Sequence, residues 1–161
     1  MSFDFGSAVL AGLAGTAVMT GLMMMGGRMM GVRMDMPMTL GTMFLPKGNG
    51  AWAVGLMAHV MMGVIFFIAY ALLFDALGIS SHIGRWGALF GVIHAIGAGA
   101  VFGMMPAIHP RMSGAGVGSG ADSVPAPGVM GMGLGSMAPM AIVLVHASFG
   151  LAGGWTYSTL N

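Results

Sequence analysis

Three histidines stand inside otherwise apolar sequence: His59 in MAHVMMG, His94 in GVIHAIG and His146 in LVHASFG. A fourth, His109, follows Pro106 and precedes Pro110 in MMPAIHPRM. Methionine is the other unusual residue type, with 21 in the chain, falling at 34, 36, 38 and 43 in the stretch RMDMPMTLGTMF. Neutral imidazole and thioether suit soft and borderline metals. Thioether favours Cu(I), and imidazole accepts copper, zinc, iron or nickel. The only carboxylate side chains are Asp4, Asp35, Asp75 and Asp122, and there is no cysteine. That excludes disulfides, thiolate metal sites and thiol chemistry. It also argues against an oxygen cage for calcium or magnesium and against a carboxylate-bridged di-iron centre. Copper is the first metal these residues suggest.

Residues two apart share a face when the chain is extended. Met34, Met36 and Met38 therefore read as a thioether ladder, in a segment expected to lie outside any regular core element. Such a ladder could pass Cu(I) toward the histidines, with His109 as an entry ligand and Met61, Met62, Met104 or Met105 lining the path. Met-rich tracts serve equally well as adaptable apolar packing. His59 and His146 are each followed four residues later by glycine, Gly63 and Gly150. A glycine one turn along the same face leaves room for a heme or chlorin ring with an axial histidine, or for a neighbouring helix.

The elements that must position these side chains are membrane helices. The chain is 161 residues long, 57% hydrophobic and 6% charged, whereas soluble domains carry about a quarter charged residues. Four apolar stretches reach the roughly 20 residues of helix that a bilayer core requires: Ser7 to Gly31, Ala51 to Leu77, Arg85 to Ile108 and Met137 to Ser158. None alternates with the period of a barrel strand, so helices are expected. The first has no basic segment before it and is read as a helix rather than a leader.

The expected architecture is all-α: one integral membrane domain spanning residues 1–161, a four-helix bundle with Gly-rich, small-residue helix packing. Two long loops, 32–50 and 109–136, fall on one face; the termini and the short DALGISSHIG hairpin fall on the other. The second long loop is rich in Gly, Pro and Ser and is expected to lack regular structure. Apart from Met1, every methionine belongs to the long-loop face or the helix halves nearest it. At ~1.5 Å per residue, His59, His146 and His94 lie roughly 12, 14 and 20 Å below that face. Ionisable groups at such depth are costly and turn toward the bundle interior, so the three imidazoles are expected to converge.

AGLAGTAVMT, the block from DMPMTLGTMF to HVMMG, RWGALFGVIH and HASFGLAGGWTYS together resemble a family of small four-helix integral membrane proteins of bacteria and archaea. The resemblance extends over most of the chain. It implies the architecture and carries no activity with it.

No catalytic motif is present. GAGVGSG follows no predicted strand, so its glycines indicate loop only. A net charge of +1 gives no basis for nucleic-acid binding. Three functions fit the residues. The first is copper handling or delivery through intramembrane histidine and Met-rich loops. The second is an accessory subunit of a respiratory, photosynthetic or oxidase complex, or a homo-oligomer. The third is a His-ligated heme electron carrier. Arg28, Arg33, Lys47 and Arg111 lie on the long-loop side against Arg85 opposite, and the positive-inside rule then puts the long loops in the cytoplasm of a prokaryotic cell.

Overall fold

The computed structural model describes residues 2–29, 31–32, 35–112 and 120–161, the side chains of residues 27 and 28 excepted. The described helices are α1 (Phe5–Met29), the short α2 (Met36–Gly41), α3 (Asn49–Ala76), α4 (Ile83–Ile108) and α5 (Ala138–Leu160). All but α2 are long and apolar enough to cross a membrane. A helix satisfies its own backbone hydrogen bonds, which is the condition for spanning hydrocarbon. The chain is thus an all-α, four-helix integral membrane protein. Among the described residues the only strand-like pairing is an isolated bridge between Met112 and Val124.

Local chemistry sets the helix ends. Asp4 caps α1: its Oδ1 accepts from the Ser7 amide at 2.6 Å, the usual bond from the third helical residue to its N-cap. Hydrogen bonding from Ser7, its side chain first and then its backbone amide, holds the Asp4 carboxyl below the ordinary carboxylate value. α3 stops where Gly78 turns left-handed, with φ +66°, and the Ile79 amide donates back to the Phe74 carbonyl at 2.8 Å. That pattern needs a residue without a Cβ penalty. Pro37 and Pro139 occupy first turns, where a missing amide costs little, whereas Pro106 stands inside α4 near its end and gives up an intrahelical bond.

Two compact units divide the contacts. The first comprises residues 1–22, 60–95 and 143–161, and the second residues 23–59 and 96–142. In the first, the two termini meet. The Asp4 amide donates to the Tyr157 hydroxyl at 3.0 Å, and Asn161 Nδ2 donates to the Ser2 carbonyl at 2.9 Å. The core is aromatic: Phe67, Phe74, Phe149 and Tyr157 are at most 2% exposed. Phe67, Tyr70 and Phe74 recur at three and four residues along α3 and so share one face. Phe74 stacks on Phe90 of α4 with centroids 5.3 Å apart. Around this core, glycine lets backbones touch. A Cβ at Gly12 would enter the Val64 backbone, and one at Gly87 or Gly150 would enter the other's carbonyl.

The second unit contains both long connections, and each is more structured than its composition suggested. The segment 32–50 holds α2, whose Pro37, Leu40 and Gly41 are buried. In the later segment the Val124 amide donates to the Arg111 carbonyl at 2.9 Å beside the Met112 bridge. Tight 3₁₀ turns then run through Val129–Leu134, broken by left-handed backbone at Met130 and Gly131. Met130 lies over Gly99 and Val129 over Gly103. Here α4 glycines make room for a loop rather than for another helix.

Candidate functional site

The methionine stretch folds as α2 because Asp35 starts it. The carboxylate accepts from the Met38 amide at 2.9 Å, and Pro37 follows in the first turn. Glycine then allows close docking. A Cβ at Gly41 would meet the Ala51 carbonyl, and one at Gly55 would meet the Pro37 carbonyl. From the chain after α4, His109 Nε2 donates to the Thr39 carbonyl at 2.8 Å and lies 3.3 Å from Thr42 Oγ1. Its Nδ1 accepts from the Arg111 amide at 3.1 Å. These partners set the tautomer with hydrogen on Nε2. Arg111 Nη1 donates to the Thr42 carbonyl at 2.7 Å, so α2 has an anion at its N-terminus and a cation at its C-terminus, as the helix dipole favours.

This geometry corrects the extended ladder. Two residues apart on a helix is about 200° of rotation, so Met36 and Met38 do not project to one side in file; Met34 lies outside the described residues. A cavity collects them instead. Met36 and Met38 of α2 and Met105 of α4 line a space of about 190 Å³, with Asp35, Thr39 and Lys47 also on its wall. Met105 is buried, while its neighbour Met104 is 67% exposed and Met61 is 57% exposed. Met104 and Met61 turn outward from their helices, and Met62 is half-buried.

His94 and His146 come together in the first unit, ring centroids 4.9 Å apart and planes at 74°. His59 is buried and belongs to the second unit. Among the described residues no group of three or more His, Cys, Asp or Glu is placed to hold a metal. His109 braces α2 with Nε2, while its Nδ1 is engaged by the Arg111 amide. The space beside Gly63 is filled by the Thr16 side chain and that beside Gly150 by the Gly87 backbone. A neighbouring helix lies against both glycines.

Sequence reasoning overlooked three partners. The Tyr70 hydroxyl is 3.1 Å from His94 Nδ1, and Thr42 and Arg111 bind around His109. The separations of Tyr70 from His94, Thr42 from His109 and Arg111 from Thr42 along the chain, 24, 67 and 69 residues, carry no local signal for the pairings. The α2 start did carry one, since Asp followed by Pro in the first turn is a helix-start pattern. Compared with protein-family models, curated proteins and solved structures, the chain matches none of them.

Proposed function

We propose that the protein is a membrane copper-binding protein, for copper handling or delivery, that takes Cu(I) in the cavity between α2 and α4. One observation carries this reading: three thioethers, Met36, Met38 and Met105, from two separate elements line one cavity in a chain without cysteine. Thioether sulfur selects Cu(I) among the common first-row ions. It is also neutral, so a monovalent ion enters without a proton being displaced, unlike the case of thiolate. A hard divalent ion needs several oxygens, and Asp35 is the only carboxylate on the wall. Lys47 opposes that charge, which disfavours a second positive charge on the metal.

The test is competition with a chromophoric Cu(I) chelator under reducing conditions, comparing the wild type with the triple variant Met36→Leu, Met38→Leu, Met105→Leu. Leucine nearly conserves methionine's volume, and such exchanges cost less than about 1.5 kcal/mol, so the variant keeps its fold. X-ray absorption of the loaded wild type is expected to show copper–sulfur scattering, and the triple variant is expected to lose it. Sulfur scattering retained in the triple variant, or absent from the wild type, overturns the reading. A wild type that binds no copper leaves the accessory-subunit function in its place.

The same reading includes orientation, and follows charge in putting residues 32–50 and 109–136 in the cytoplasm. A cysteine introduced at Ser123 of this cysteine-free chain is expected to react with an impermeant thiol reagent in inverted vesicles and to stay unlabelled in intact cells. Labelling in intact cells reverses the assignment.

A further inference from the structure

The first unit contains a second cluster of ligating side chains that the thioether cavity does not use. His94 of α4 and His146 of α5 meet at 4.9 Å between ring centroids. Glycine creates the contact. A Cβ at Gly91, one turn before His94, would enter the His146 carbonyl, and Gly87 and Gly150 abut backbone to backbone. With any larger residue at these positions, α4 and α5 would stand too far apart for the two imidazoles to touch. Tyr70 of α3 then holds one ring by its Nδ1, at 3.1 Å. Phe66 and Phe149 wall the same ring, with centroids 4.1 and 6.4 Å away.

We infer that His94 and His146 form a second metal site, an imidazole site for Cu(I), with Tyr70 as its positioning residue. Two ring nitrogens bound to one ion at about 2 Å, with an angle near tetrahedral, set ring centroids about 5 Å apart, which matches the separation observed here. Metal-binding histidines characteristically have their other nitrogen engaged by a hydrogen-bonding partner that orients the ring. Tyr70 supplies that partner for His94, leaving Nε2 for the metal. The walls around His94 are aromatic, so a low-charge ion is favoured over a divalent one, whose desolvation costs far more. The site stands on its own residues and does not depend on the thioether cavity.

The test uses full-length protein in detergent, loaded with Cu(I) alone and read by copper X-ray absorption and chelator competition. The Met36→Leu, Met38→Leu, Met105→Leu variant is expected to retain copper with nitrogen-only scattering. Adding Tyr70→Phe to that variant is expected to weaken the remaining copper by roughly 10- to 100-fold, the usual effect of removing an orienting partner. In the wild-type background, His94→Gln with His146→Gln is expected to remove nitrogen scattering and leave sulfur scattering. A methionine variant that is folded but free of copper overturns the imidazole site, even where the histidine variant fails to fold. A wild type with nitrogen scattering and no sulfur scattering overturns the thioether reading alone, so the two proposals fail separately.

Discussion

Replacing Gly150 by leucine is expected to leave no folded protein. In the first unit the α4 and α5 backbones meet at Gly87 and Gly150, and a Cβ on either would lie inside the other's carbonyl group. Overpacking usually costs about 1–3 kcal/mol because side chains shift to accommodate it. Here the obstruction is peptide backbone, which no change of rotamer removes. The expected loss therefore exceeds that range and consumes much of a typical total stability of about 5–15 kcal/mol. The helices would have to separate, breaking the His94–His146 contact as well. Thermal unfolding in detergent checks this, with Gly97→Ala as control. Gly97 has no atom within 4 Å of its Cβ position, so alanine there is expected to stabilise the helix by about 0.5–1 kcal/mol. A Gly150→Leu protein that unfolds at the wild-type temperature contradicts the backbone contact.

The second large effect is expected at His109. Its ring is 2% exposed and serves Thr39, Thr42 and Arg111 together. Leucine would fill much of the volume but bond none of them. The Thr39 carbonyl would lose the shorter of its two hydrogen bonds, keeping only that from Thr42 Oγ1 at 3.1 Å, and the Arg111 amide would lose its acceptor. Each buried group left unmatched costs about 1–3 kcal/mol, and α2 has too few turns of its own to persist undocked. Hydrogen exchange should rise sharply across residues 36–45 while the amides of α5 hold their protection. Met36 and Met38 would then leave the cavity wall, so Cu(I) affinity should fall in the same variant although no thioether has been removed. Unchanged exchange at residues 36–45 would show that α2 is held in place without the histidine.

Methionine's placement shows both what composition tells and what it conceals. Met1 apart, the sequence pattern assigned the residue type to one side of the helices and so invited a metal reading, yet packing explains several of its members: Met112 is fully buried beside Val124, and Met130 fills the space over Gly99. The ones that line the cavity differ in their surroundings, not in their spacing. Met104 and Met105 are adjacent in sequence, and a turn of about 100° per residue sends one outward and the other to the cavity.

The four membrane helices were determined by the sequence alone, because hydrocarbon leaves the backbone no hydrogen-bonding partner but itself, and an apolar run of sufficient length has one way to comply. The absence of cysteine and glutamate limited the available ligands to imidazole, thioether and four carboxylates before any coordinate was known. Separation between residues along one helix was also legible, since rise per residue is constant. Which histidines meet was not. In the first unit His94 and His146 meet with ring centroids 4.9 Å apart. Rotation about each helix axis, together with the glycines that let α4 and α5 close to backbone contact, selects the pair. The partners of His109, Tyr70 with His94, and the cavity that gathers Met36, Met38 and Met105 arise the same way, from residues dozens of positions apart brought within a few ångströms by helix packing that no local pattern encodes.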